Sequence, residues 1–205
     1  MANPRKLLPD MARTQQQRRE ETIARLLDAS IETIVEVGYA RASAAVIARR
    51  AQVSDGALFR HFPTMGDFMA ATAHEVMRRQ LELVIKHVAE IPADQSALEA
   101  AVRIQWEATA NATNTVIFEL MVAARTDDKL RATLQEVLAE YASHIYDTAR
   151  ALPGADAYQE DTFSTLVAII TNSFNGAALV RPVLPQPDAE AKQIELLIEV
   201  MRGLG

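Results

Sequence analysis

The sequence predicts an all-α chain of about nine helices, with a three-helix N-terminal head and a larger helical body. Three observations carry this. Apolar residues recur at helical spacing from Ile23 to Met201, and no stretch of useful length alternates as a strand would. Seven Gly and eight Pro in 205 residues, against abundant Ala, Leu, Ile and Glu, favour helix over strand. Helix-starting and helix-stopping residues flank the periodic stretches.

Residues 1–14 hold Pro4 and Pro9 and no period, so they are expected to form a flexible arm. From about Gln15 one stripe runs through Ile23, Leu26, Leu27, Ile31, Ile34 and Val35, and Gly38 stops that helix. Ser43 caps a short second helix with Val46, Ile47, Ala48 and Ala51. After the tight Gln52-Val53 connection, Ser54 opens a third, which buries Leu58 and Phe62 and ends at Pro63. Thr64 with Asp67 forms a capping box for a long fourth helix through Met69, Ala73, Val76, Leu81, Val84 and Val88.

The body continues with longer helices. Leu98, Val102 and Trp106 mark the fifth, and Val116 to Ala124 the sixth. Leu130, Leu134, Val137, Tyr141, Ile145 and Leu152 mark the seventh, ended by Pro153-Gly154. The eighth runs from about Tyr158 to Val180, where Arg181-Pro182 interrupts. The ninth carries Ile194, Leu197, Ile198 and Met201. The expected divisions are 1–14 arm, 15–63 head and 64–205 body.

Composition narrows the function. With no Cys there is no disulfide scaffold, thiolate zinc or Cys nucleophile. The N-terminus shows no signal peptide, and no run is expected to reach the ~20 apolar residues of a membrane span, which implies a cytoplasmic chain. The net charge of −6 is uneven: residues 1–80 hold 12 Lys+Arg against 9 Asp+Glu, and residues 81–205 hold 9 against 18. A mildly basic first part on an acidic body points to an anionic partner for the head alone; chance variation on a solvated surface is the other reading.

The most specific motif lies in the head. Residues 38–63 read Gly38-Tyr39-Ala40-Arg41-Ala42-Ser43, Val46-Ile47-Ala48, Ala51-Gln52-Val53-Ser54 and Gly56-Ala57-Leu58-Phe59-Arg60-His61-Phe62-Pro63. Two short Ser-capped helices on a tight turn fit a helix-turn-helix, whose second helix has the diameter to enter the major groove of DNA. This stretch resembles the N-terminal domain of TetR-type transcriptional regulators, which read roughly G-Y-x-x-T-S-x-x-x-I-A-x-x-A-G-V-S-x-G-x-L-Y-x-H-F-P.

The resemblance implies a dimer that binds double-stranded operator DNA and, as a repressor, is released by a small, apolar effector. It implies DNA contacts at Ser43, Ser54, Gly56, Ala57, Phe59, Arg60 and His61, with Ser54 capping the recognition helix. His61 reads equally as a donor bracing helix four. Three departures matter: Ala42 and Gln52 replace Thr and Gly, and Met65 stands where a phosphate-binding Lys is usual. Ala44 and Ala45 also offer no donors. Arg13, Arg18, Arg19, Arg41 or Arg49 can compensate, and Arg5 and Lys6 can enter a minor groove.

The body shows no Walker loop, no G-x-G-x-x-G and no H-E-x-x-H, and neither cofactor nor metal is expected. The resemblance implies an effector pocket, for which Trp106, Phe118, Met121, Tyr141, Asn172 and Phe174 are candidates; aromatic and Met residues at this spacing also read as plain core. Helix eight is apolar nearly all round, as in a helix buried on two sides. Ile169, Gly176, Leu179 and Val180, with Leu197 and Met201 of helix nine, are the candidate dimer face. The rival reading is a helical ligand-binding or enzymatic protein whose head no longer binds DNA.

Overall fold

The computed structural model describes residues 8–205, with the backbone alone for 8–14 and Asp55. Nine α-helices and no strand lie among the described residues: α1 Leu8–Val37, α2 Ala44–Arg50, α3 Asp55–His61, α4 Met65–Ala89, α5 Ala97–Thr109, α6 Asn114–Ala123, α7 Asp128–Arg150, α8 Glu160–Val180 and α9 Pro187–Leu204. The first helix starts at Leu8, earlier than the Gln15 expected from its periodicity. Residues 1–7 of the expected arm, with Arg5 and Lys6, lie outside the described residues. The chain divides into two compact units, up to Thr72 and from Ala73. The division falls inside α4 rather than at its start.

In the first unit α2 packs on α1, and α3 on α2. Leu26, Ile34, Ile47, Leu58, Phe68 and Met69 are fully buried. The hydroxyl of Thr72 meets the Ser30 hydroxyl at 2.9 Å and donates to the Phe68 carbonyl at 2.9 Å, so the buried polar groups are partnered. Phe62 packs on Phe68 with the rings tilted by 41° and centroids 4.9 Å apart. Gly38 stands at φ 85°, ψ 156°, a conformation open in practice to glycine alone, and the chain turns there out of α1. Val46, counted with the apolar residues of α2, is 38% exposed. The α2 face that meets α1 is supplied by Ile47, Ala48 and Ala51, and Val46 points the other way.

In the second unit α5 packs against α8 and α9. Leu98, Val102, Phe163, Leu166, Phe174 and Ile198 form its main core. The Tyr158 hydroxyl donates to the Met201 carbonyl at 3.0 Å and closes this core. The helix ends are set locally: Ser96 and Asp127 cap the starts of α5 and α7, and Gly154 at φ 89° turns the chain after α7. By length and composition α8 is apolar enough to cross a membrane, contrary to the sequence expectation. Its Phe163, Leu166, Ile170 and Phe174 are buried in the core.

Candidate functional site

The helix-turn-helix is set by its turn. Val53 N donates to the Ala48 carbonyl at 3.0 Å, and Gln52 N to the Arg49 carbonyl at 3.1 Å. These two bonds make a Schellman motif at the end of α2, which requires a left-handed residue between them. That residue is Gln52, at φ 56° the one non-glycine residue with positive φ among the described residues. Glycine is favoured here because it has no Cβ to crowd the next carbonyl.

The turn delivers α3 with Leu58 fully buried below and a free face above. Gly56, Phe59 and Arg60, at i, i+3 and i+4, share that face and are exposed. A Cβ at Gly56 would meet nothing within 4 Å, and Phe59 is 45% exposed. Ala57 and His61 are half-buried at its margin. Burial, then the charges of Arg19 and Arg60, hold the His61 imidazole below its usual range. Arg19 of α1 and Arg60 of α3 both act on His61.

Ser43 caps α2 as expected, accepting from Val46 N at 3.4 Å. Ser54 occupies the N-cap position of α3 and its carbonyl accepts from Ala57 N, but its hydroxyl makes no cap bond. The expected Ser54 hydroxyl cap is thus absent. Thr64 and Asp67 form the predicted box: Thr64 N donates to Asp67 Oδ2 and Asp67 N to Thr64 Oγ1, both at 3.1 Å. Met65, first residue of α4, is half-buried. Of the compensating arginines, Arg41 donates from Nε to the Val37 carbonyl at 2.6 Å. Arg18, Arg19 and Arg49 are exposed, and the Arg13 side chain lies outside the described residues.

The second unit holds a cavity of about 490 Å³ between α4, α5, α6, α7 and α8, open to solvent where Ser164, Ala168 and Asn172 are exposed. Phe118, Met121, Tyr141 and Asn172 of the sequence-predicted set line it. Trp106 and Phe174 do not. They meet edge to face, centroids 5.2 Å apart, in the main core, and Arg181 lies over the indole at 4.5 Å. Three buried polar atoms in the cavity wall have no hydrogen-bond partner of normal geometry: Gln80 Oε1, Gln105 Oε1 and the Tyr141 hydroxyl. Burial pushes the Tyr141 hydroxyl up to about 12, with the neighbouring Gln105 amide acting the other way. Among the described residues no His, Asp and Glu cluster is placed to hold a metal.

On the candidate dimer face, Ile169, Gly176, Leu179 and Val180 of α8 are exposed. Leu197 is half-buried against the core and Met201 is 5% exposed within it, so that neither is free. The ninth helix turns its stripe of Ile194, Ile198 and Met201 inward, and its exposed large apolar residues are Leu196, Val200 and Leu204.

The family model described as bacterial regulatory proteins, tetR family, matches residues 26–72. An HTH-type transcriptional regulator of Mycobacterium bovis is 66% identical over 191 residues, covering 93% of this chain and 98% of its own. The chain belongs to the tetR family. As such it is a DNA-binding transcriptional regulator. The HTH-type transcriptional regulator CymR of Pseudomonas putida is 25% identical over 167 residues, 82% of each chain. A putative TetR-family regulator from Rhodococcus sp. has the same fold, with a TM-score of 0.71 at 16% identity over 88% of this chain and 98% of that one. So does the multidrug binding protein EbrR, solved with malachite green, at a TM-score of 0.62 and 22% identity over 86% and 96%.

Among the wall residues of this tetR-family chain that sequence reasoning missed are Gln80 and Gln105, whose amide oxygens lack a partner. A signal for the second was present. Gln105 sits seven residues after Leu98 and three after Val102, a polar residue on a buried stripe. Gln80 interrupts the stripe of Val76, Met77 and Val84 in the same way.

Proposed function

We propose that this regulator is a homodimeric repressor that leaves its operator when a small, uncharged effector fills the α4–α8 cavity. One observation carries the coupling: α4 is a single helix from Met65 to Ala89. Its first part contributes Phe68, Met69 and Thr72 to the core of the DNA-binding unit, and Met77 and Gln80 further along it line the cavity. An effector can act only through unequal affinity for the binding-competent and released forms. A helix common to both units supplies the element on which that difference acts.

Ser43, Ser54, Gly56, Ala57, Phe59, Arg60 and His61 are assigned to the DNA interface. Gly56, Phe59 and Arg60 read the groove, and the others lie beside the backbone. Pairing two heads requires a symmetric contact. Ile169, Gly176, Leu179 and Val180 of α8 supply it, with Leu196 and Val200 of α9 in place of Leu197 and Met201. The open space at Gly176 admits a partner backbone. The two recognition helices then engage half-sites ~34–36 Å apart. Such a protein acts in the cytoplasm.

The test is an electrophoretic shift with DNA flanking the protein's own gene, together with sedimentation at micromolar protein. A dimer and a sequence-specific shift are expected, and Gly176→Leu weakens both by overpacking the α8 face. A wild-type monomer, or binding to no DNA, rejects the reading and leaves a helical ligand-binding protein.

A further inference from the structure

Among the described residues, no Asp, Glu, Lys, Arg or His lines the α4–α8 cavity. The wall therefore offers no partner of opposite charge to a carboxylate or ammonium ion, which disfavours charged ligands against the buried amides. The wall is nonetheless not inert. Gln80 Oε1, Gln105 Oε1 and the Tyr141 hydroxyl are buried with no hydrogen-bond partner of normal geometry, although Gln105 lies beside Tyr141. Gln105 is only 7% exposed, so what meets it must come from inside the cavity.

The unmet atoms define the complement. A carbonyl oxygen requires a donor, and either amide turned over presents N–H groups that require an acceptor. A hydroxyl donates and accepts, so it pairs with both arrangements and with the tyrosine. An ether or ester only accepts, and leaves an amide oxygen unmet.

Behind this polar cluster lies a second, smaller chamber of about 70 Å³. Its wall is almost wholly apolar, with Val84, Leu98, Val102, Phe163, Leu166 and Ile170. The two chambers share Gln105, Ile145, Val167 and Thr171. Gln105 therefore belongs to both walls, with the roomy chamber on one side and an apolar recess on the other. At ~30 Å³ for a water-sized volume, the recess takes about two or three carbon atoms.

Resting on the effector reading of this cavity, we propose that its ligand is an uncharged hydroxyl-bearing molecule with an apolar tail. The hydroxyl meets Gln105, Gln80 and Tyr141, and the tail enters the recess behind Gln105. The larger chamber holds the rest of a drug-sized body among Phe118, Met121 and Leu138.

The single Trp of the chain, Trp106, follows Gln105 on α5 and reports binding by its fluorescence. The probes for the full-length protein are phenol, 4-propylphenol, 4-propylanisole and 4-propylbenzoate. 4-Propylphenol is expected to bind at least about ten-fold tighter than the anisole or the benzoate, because only it satisfies the buried amides without burying a charge. Gln105→Leu removes the preference for phenol over anisole while anisole binding persists, which shows that the variant is folded. Ala101→Leu, on the wall of the recess, removes the gain from phenol to 4-propylphenol but keeps the preference for a hydroxyl. Equal affinity for phenol and anisole, tighter binding of the benzoate, a hydroxyl preference that survives both Gln105→Leu and Gln80→Leu, or no fluorescence change with any probe at millimolar concentration overturns the proposal. A hydroxyl preference without any effect on operator binding leaves it standing and defeats the effector reading instead. Release from DNA by the probes without a hydroxyl preference does the reverse.

Discussion

The helix-turn-helix and the cavity are built by opposite means. The head's site is local: residues 43–67 contain its caps, its left-handed turn and its exposed face, and what is presented outward is left over after Leu58 is buried. The cavity is non-local: Gln80, Gln105 and Tyr141 come from three helices, and they matter because they are inside and unmatched. The first kind of site tolerates change in stability but not in surface chemistry. In the second, packing and recognition are one structure, and a wall residue cannot be altered without both responding.

The largest expected effect separates core from wall. Phe174, fully buried beside Trp106, is core. Phe174→Ala is expected to cost ~3–5 kcal/mol in thermal or denaturant unfolding. A loss below ~1 kcal/mol would mean that Phe174 faces open space, and would erase the distinction between core and cavity. Next comes the exposed face of α3. Arg60→Ala is expected to weaken operator binding by ~1–3 kcal/mol and to relax preference at one position per half-site. Fluorescence-detected ligand affinity should not change. A parallel loss of ligand affinity would show that the two sites are not separable.

A smaller effect tests the turn. Gln52→Gly relieves a left-handed non-glycine residue and is expected to stabilise the protein by ~1 kcal/mol, less the extra chain entropy of glycine. Unfolding midpoints of the two proteins decide the sign; a destabilised variant would mean that Gln52 makes a contact worth more than the strain. The smallest effect concerns pH. His61 in the folded chain binds its proton less readily than in the unfolded chain, whose value is near 6.5. The unfolded chain therefore takes up more protons just below pH 6.5, and stability falls as pH drops through that window until folded His61 is also protonated. His61→Gln should flatten the change in unfolding midpoint between pH 7.5 and 5.5. Because His61 is only partly buried, the change is small, and an equal slope in both proteins would assign it to other groups.

Much of the head was legible because its determinants are neighbours in the chain. Ser43, the Thr64–Asp67 box and the stop at Gly38 are short-range signals, and each stands where spacing placed it. The Ser54 hydroxyl was the exception. Sequence fixes a residue at the cap position, but not which way its hydroxyl turns. Val46 failed for a related reason: on a seven-residue helix the apolar stripe is too short to define one face.

The sequence by itself determined that the chain is helical, where most helices begin and end, and that the head is a helix-turn-helix, because these follow from interactions within about one turn of helix. Tertiary structure alone decided which apolar residues became core and which became wall. Trp106, Phe118, Tyr141 and Phe174 are alike in sequence, yet Phe118 and Tyr141 line space while Trp106 and Phe174 fill it. The same holds for Met201 against Leu196 and Val200 on α9. Periodicity identifies a stripe, but the partner across it determines whether that stripe is covered. Gln80 and Gln105 depend on this most of all, since a polar side chain becomes a recognition group only once folding has buried it without a partner.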